Sequence, residues 1–172
     1  MTDRLSYIES KIVDETTAKR TISSWQMRGD KVVFTNGCFD ILHKGHVTYL
    51  AKAASEGNRL VIGLNTDLSV KEQGKGDDRP INDEISRAVV LAGLGFVDLI
   101  VFFGEQTPEL LIQSLCPDIL AKGADYNPEE KDPNSKKYIV GSDFVLKNGG
   151  KVIAIPLVEG FSTTSILSKL KG

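Results

Sequence analysis

Cysteine is nearly missing from this chain: Cys38 and Cys116 stand far apart in 172 residues and form no CxxC pair. That removes a disulfide framework and a zinc ribbon, and both thiols are expected to be reduced. No stretch approaches the roughly 18 consecutive apolar residues that cross a bilayer. The opening "MTDRLSYIES" also lacks the basic-then-apolar build of a secretory signal. No membrane partner is therefore expected, and the cytoplasm is the expected location. Neither sign of charge dominates, with 21 Lys plus Arg against 23 Asp plus Glu. A bulk positive field that would hold a nucleic acid is absent, so any anion site must be local. Neither GxxxxGK[ST] nor GxGxxG occurs, which removes support from kinase and dinucleotide-binding readings. Repeats and low-complexity tracts are absent as well. Histidine is the last scarcity: the chain holds two, His43 and His46.

What is present suffices for one domain, since 41% of the residues are hydrophobic. The first thirty residues are polar, but Ala18, Ile22 and Trp25 fit one helical face and Gly29 supplies a stop, so residues 1–30 read as a helical N-terminal extension. From Lys31 the texture changes. "KVVFT", "RLVIGLN", "DLIVFF", "DILAKG" and "KVIAI" read as buried strands. Between them, Val47, Leu50, Ala51 and Ala54 recur at helical spacing, as do Ala88, Leu91, Ala92 and Gly95, and then Leu110, Leu111 and Ser114. This alternation predicts an α/β fold over residues 31–172: a single Rossmann-like, doubly wound parallel sheet of five strands with helices on both faces. In such sheets ligands sit beyond the carboxyl ends of the strands. Residues 127–138, "NPEEKDPNSKKY", are charged and without period and read as a surface loop.

Both histidines lie in "TNGCFDILHKGH", residues 35–46, where a strand gives way to a helix at that productive edge. Gly37 and Gly45 permit close backbone approach, and the free N–H groups of the helix start favour an anion. His43 and His46 are three apart, so both rings can donate to the same phosphate. Three alternatives use the same residues. The pair can be a chance neighbour in a loop. Cys38, Asp40, His43 and His46 can be offered as metal ligands, although closed zinc sites usually draw on two separated ligand pairs. Cys38 can be a nucleophile, although no orienting Asn or Asp is identifiable for the base.

Other segments end at the same edge. "EGFSTTSI" sets Ser162, Thr163 and Thr164 before a helix, where hydroxyls cap N–H groups and also bond phosphate oxygens. "LAKGADY" brings Lys122, Gly123, Asp125 and Tyr126, and "GLNTDLS" brings Asn65 and Asp67. "KGDDRPIN" carries Lys75, Arg79 and Asn82, with Arg87 following.

"NGCFDILHKGH" resembles the GxFDxxHxGH signature of the nucleotidyltransferase superfamily that includes the cytidylyltransferases, and "EGFSTT" is similar to its EGxSTT motif. With "KGDDRPIN", "TPELLI" and "KGADY", the set resembles the adenylyltransferase branch that makes ADP-heptose from D-glycero-D-manno-heptose 1-phosphate, over residues 31 to 170. Ala124 replaces a common second glycine, Ile85 a usual glutamate, and the "KDPNSKKY" region is longer.

The resemblance implies AMP transfer from ATP, carried with Mg2+, to a sugar 1-phosphate for lipopolysaccharide core synthesis, with release of pyrophosphate. It implies catalysis by His43, His46 and Lys75. The nucleotide would meet Thr35, Asn36, Gly37, Cys38, Phe39, Asp40, Gly45, Lys122, Gly123, Asp125, Glu159, Gly160, Ser162, Thr163 and Thr164. The acceptor would meet Asn65, Asp67, Arg79, Arg87 and Tyr126. A homodimer and a separate heptose kinase acting upstream are further implications. CTP-dependent transfer to glycerol 3-phosphate or another polyol phosphate is the nearest alternative, and a noncatalytic nucleotide sensor is the alternative of another class.

Overall fold

The runs rich in Val, Ile and Leu become strands because their side chains are buried on both faces of one sheet. The computed structural model describes residues 3–72 and 79–171. In chain order the elements are α1 (Arg4–Glu9), β1 (Ile12–Val13), α2 (Glu15–Met27), β2 (Val32–Gly37), α3 (Lys44–Ala54), β3 (Arg59–Asn65) and α4 (Asp67–Glu72). Then come α5 (Glu84–Ala92), β4 (Leu99–Phe103), α6 (Glu109–Leu115), β5 (Ile119–Gly123), α7 (Ser142–Lys147), β6 (Lys151–Ile155) and α8 (Thr163–Lys171). Among the described residues the sheet has six strands in the order β1-β4-β3-β2-β5-β6, and every pairing is parallel. Five strands coincide with the five expected; the sixth, β1, is two residues that pair at the β4 edge, too short to leave a hydropathy signal.

Alternation along each strand fills two cores. Val33, Leu60, Ile62, Leu64 and Ile100 face one way and meet Leu50 and Ala53 of α3 and Ala88, Leu91 and Ala92 of α5. Val32, Phe34, Val61, Val101 and Leu120 face the other way and meet Ala18 and Ile22 of α2, Leu111, Ile112 and Leu115 of α6, and Val145 of α7. Each fully buried side chain of this size contributes about 2 kcal/mol. The first thirty residues thus supply both an edge strand and a helix whose Ala18 and Ile22 are fully covered. The inward faces of two helices are rotated by a position from expectation. In α3 the buried positions include Tyr49, Leu50 and Ala53, and in α6 Leu111, Ile112 and Leu115 are buried while Leu110 is exposed.

The bottom of the sheet is latched by two carboxylates. Asp98 accepts the Leu60 N–H at 2.8 Å and Asp118 the Val32 N–H at 3.0 Å, so strands of different hairpin-free crossovers start in register. No helix among the described residues is long and apolar enough to cross a membrane.

Chain order reverses direction between β2 and β5: successive strands run outward from β2 to β3 and β4 on one side, and to β5 and β6 on the other. A crevice opens beyond the carboxyl ends of two neighbouring parallel strands at such a reversal. β2 ends at Gly37 and β5 at Gly123, so both candidate segments meet there.

Candidate active site

A cleft of about 330 Å³ lies at that reversal, walled by Asn36 to Phe39, the His43–His46 turn, the Lys122–Tyr126 turn and the Leu157–Thr163 segment. The loop after β2 turns sharply at Phe39, whose φ of 45° is left-handed for a bulky residue. Gly37 makes this possible, because a Cβ there would stand 3.0 Å from the Phe39 ring. Gly45 has a similar role under the histidines: its Cβ would stand 3.0 Å from the His43 ring and 3.0 Å from Phe161 Cβ.

His43 is the N-cap of α3, and its Nδ1 accepts the His46 backbone N–H at 3.3 Å. With Nδ1 an acceptor, the neutral ring carries its proton on Nε2, which makes it a donor toward a ligand. The two imidazoles stack with centroids 3.8 Å apart and planes 17° apart, and the Phe39 ring meets His46 edge-on at 5.2 Å. Burial, then the neighbouring His43, pushes the His46 pKa down to about 4, against a weaker opposing contact with the Ile41 backbone. Its Nδ1 is buried without a hydrogen-bond partner of good geometry. Burial also lowers the His43 pKa. Both rings are therefore neutral at pH 7 until an anion arrives, and a phosphate placed against them would favour the protonated form.

Lys122 enters from β5. Its ammonium donates to the Asn36 side-chain oxygen and lies 5.7 Å from the Tyr126 ring centre. Burial pushes its pKa down to about 8, opposed by Asp125 and Cys38. Beneath it, Tyr49 donates to the Ala121 carbonyl at 3.1 Å and shares a 2.8 Å hydrogen bond with Thr35. Burial raises the Tyr49 pKa to about 12, so it stays a neutral prop. Across the cleft, α8 begins at Thr163, and Ser162 accepts the Ser165 N–H at 3.0 Å as its cap. Accepting through a lone pair leaves the Ser162 hydroxyl proton free to donate to a ligand oxygen.

Around the cleft lies a set of engaged charges. Asp40 is 2% exposed; it accepts from the Arg79 guanidinium, from Ile81 N–H at 2.8 Å and from Asn82 N–H at 3.0 Å. Asn82 in turn donates to the Asp40 carbonyl at 2.6 Å, so the histidine loop and the residue 79–82 segment are fastened together. Arg87, also 2% exposed, donates to the carbonyls of Cys38, Asn65 and Asn82 at 2.6, 2.8 and 3.0 Å and to Asp67 at 2.7 Å. One guanidinium thereby ties the ends of β2 and β3 to the start of α5.

The structure brings together on the cleft wall His43, His46, Asn36, Gly37, Cys38, Phe39, Gly45, Lys122, Gly123, Asp125, Tyr126, Ser162 and Thr163. Thr35 lies one layer below, bonded to Tyr49. Asp40, Arg79, Arg87 and Asp67 hold loops rather than wall the cleft. Glu159 and Gly160 occupy the exposed turn before α8. Lys75 lies outside the described residues, as does the side chain of Thr164. Sequence reasoning missed Tyr49, Leu157, Val158 and Phe161 as wall residues. The aromatic within "EGFSTT" was a signal for Phe161, whose ring lies 5.4 Å from the Lys44 ammonium. Asn65 borders a second cleft of about 490 Å³, which shares Asn36, Gly37, Cys38, Lys122 and Tyr126 with the first.

Among the described residues no group of three or more His, Cys, Asp or Glu is arranged to hold a metal ion. The rings that would be ligands stack on each other, and Asp40 is committed to Arg79. Among the described residues Asp125 is the carboxylate on the cleft wall. Such a wall fits a hard cation that keeps its waters and arrives on a triphosphate, which is the habit of Mg2+.

Residues 34–168 match the cytidylyltransferase-like family. The protein named bifunctional protein HldE from Rhodospirillum rubrum is 48% identical over 99% of this chain, and its namesake from Magnetococcus marinus is 49% identical over 99%. The chain spans about a third of the length of these relatives, 32% and 33%. Among solved structures, the lipopolysaccharide core biosynthesis protein from Thermoplasma volcanium superposes with a TM-score of 0.57 at 28% identity, covering 76% of this chain and 98% of that one. The motif-bearing strand ends and these likenesses together assign the chain to the cytidylyltransferase-like family of nucleotidyltransferases.

Proposed function

We propose that the cleft transfers AMP from ATP to D-glycero-D-manno-heptose 1-phosphate, giving ADP-heptose and pyrophosphate for lipopolysaccharide core synthesis. The observation that carries this reading is the stacked His43–His46 pair at the start of α3, facing Lys122 and Ser162 across one cleft. The similarity to proteins named HldE over nearly the whole chain supports the choice of acceptor.

In the reaction an oxygen of the sugar phosphate attacks the α-phosphorus of ATP. The bond from that phosphorus to the bridging oxygen breaks, and pyrophosphate leaves with the electron pair. No covalent intermediate with the protein is required. Catalysis is then in-line positioning and stabilisation of charge on the transferring group. His43 donates through Nε2. His46, neutral in the free protein, becomes protonated against the incoming phosphate and holds the charge that develops on the leaving group. Lys122 neutralises the phosphates from the β5 side, and the Ser162 and Thr163 hydroxyls enclose the triphosphate from α8. Mg2+ would offset the remaining triphosphate charge, and Asp125, a carboxylate on the cleft wall, is the residue that would help hold it. The acceptor arrives already phosphorylated at its anomeric position, so a sugar kinase activity acts first, and the cytoplasmic ATP pool sets where the reaction runs.

The test offers the chain ATP or CTP with Mg2+ and either heptose 1-phosphate or glycerol 3-phosphate, and reads products by mass spectrometry and pyrophosphate release. ADP-heptose is expected. A CDP product would transfer the reading to the polyol branch, and tight ATP binding without pyrophosphate from any acceptor would make the protein a sensor. His46→Ala should lower turnover by about a hundredfold or more while the fold persists.

A further inference from the structure

The second cleft differs from the first in chemistry. Its own walls are Asn65 at the end of β3, Gln106, Thr107 and Pro108 before α6, and Tyr138 and Val140 from the segment after β5. Apart from Lys122 at the shared border, these are neutral amides, hydroxyls and apolar groups. Gln106 and Thr107 are exposed, so their polar groups meet solvent and are available to a ligand. Amides and hydroxyls that both donate and accept suit a ligand carrying several hydroxyl groups.

Tyr138 is held in place by its own loop. The Asn127 N–H donates to the Lys137 carbonyl at 2.9 Å, which closes residues 127–137 into a loop. The Tyr138 N–H bonds the Ser135 carbonyl at 3.0 Å, and the next residue, Ile139, is fully buried. Just beyond it, Gly141 packs so closely that a Cβ would stand 2.7 Å from Ile112 of α6. The Tyr138 hydroxyl is 3.3 Å from Asp143, at the edge of hydrogen bonding. The charged surface loop therefore delivers one aromatic ring, anchored by its neighbours, to the far wall of the cleft. Lys122 and Asn36 border both clefts, so an acceptor with its phosphate at Lys122 would extend its hydroxyls toward Gln106 and Tyr138.

Resting on the proposed transfer to a sugar phosphate, we infer that the second cleft holds the polyhydroxylated part of the acceptor, and that Gln106 and Tyr138 are residues determining which acceptor is taken. The Tyr138 ring acts as a wall for the sugar's carbon face, while Gln106 bonds its hydroxyls.

The experiment measures, for the full chain and for Gln106→Ala, Tyr138→Ala and Tyr138→Phe, the KM for heptose 1-phosphate, the dissociation constant for a nonhydrolysable ATP analogue, and the thermal midpoint. The two alanine variants should raise the acceptor KM about tenfold and leave the analogue's dissociation constant within about twofold, the loss of one or two bound contacts. Tyr138→Phe, which keeps the ring, should stay within about threefold of the parent in acceptor KM. An unchanged acceptor KM in both alanine variants, with ADP-heptose still formed, overturns this inference alone. An equal loss of analogue affinity also overturns it, because the second cleft would then belong to the nucleotide. A parent chain that forms no nucleotide-sugar overturns both this inference and the functional reading. An alanine variant whose melting falls by more than a few degrees is replaced by Gln106→Glu, which should raise the KM of the anionic acceptor by at least the same factor, and an unmoved KM there counts against the inference.

Discussion

Because the chain holds two imidazoles, one NMR titration can follow the charge of each, and His46 gives the sharpest expectation. In the free protein its pKa stands near 4, against an ordinary 6.5, chiefly because the ring is desolvated. Bound triphosphate supplies the opposite charge that the free cleft lacks, so the midpoint should climb by about two units. Recovering the whole depression would correspond to about 3 kcal/mol, and roughly half of that remains once solvent screening of a partly exposed ring is allowed for. The sign for stability follows. The folded pKa lies below the unfolded one, so the unfolded chain takes up the proton first. Folding stability contributed by neutral His46 is complete above pH 6.5 and is lost as pH falls toward 4. Nucleotide reverses this, and its binding should take up a proton between those two values. The assay follows the ring C–H shifts from pH 3.5 to 8, with and without a nonhydrolysable ATP analogue, and His43→Gln assigns the signals. A His46 midpoint near 6.5 in the free protein, or one that nucleotide leaves unmoved, would refute the electrostatic account.

Lys122 should impose an alkaline limb on kcat/KM near pH 8, where its charge is lost in the free protein, and Lys122→Arg should remove that limb while Lys122→Gln lowers activity at every pH. Arg87→Met leaves the buried Asn65 carbonyl, the part-buried contacts at Cys38 and Asn82, and Asp67 without their donor, so urea denaturation should show a loss of about 2–3 kcal/mol. Gly57→Ala drives a Cβ to 2.6 Å from the Lys31 carbonyl and 2.7 Å from Val33 at the bottom of the sheet. It should cost about 1–3 kcal/mol of stability by thermal melting and leave ATP-analogue affinity as it was, since the cleft is at the other end.

Strands β2 to β6 were legible because each carries a short apolar run rich in Val, Ile, Leu or Phe, and in β2 to β5 most of that run is buried, which is the strongest pattern a parallel sheet leaves in a sequence. β1 was not, since two residues at an edge have no period, and α7 hid behind the charged loop that precedes it. Helix existence was legible but the inward face was off by a position, because side chains lean toward the helix start and Leu110 lost its place to Ile112. At the site, the strand-end glycines and histidines were readable as local spacing. The Arg87 contacts were not: they reach 49 and 22 positions back along the chain to Cys38 and Asn65, and nothing in an arginine after "IND" marks it as interior. Tyr49 was hidden for a similar reason, since its partners Thr35 and Ala121 come from two different strands. The second cleft needed the fold, because its walls come from four separate connections.

The guanidinium knot of Arg87 has a consequence for how this scaffold can diversify. It stiffens one flank of the crevice from within, whereas the opposite flank is shaped by Gln106, Thr107 and the stretch around Tyr138, none of which is joined to that knot by a hydrogen bond. Insertions and replacements on the second flank can therefore accumulate without disturbing the hydrogen bonds that hold the histidine loop. If the second cleft takes the acceptor as inferred, new acceptors become reachable by redrawing that border while the engine room stays closed.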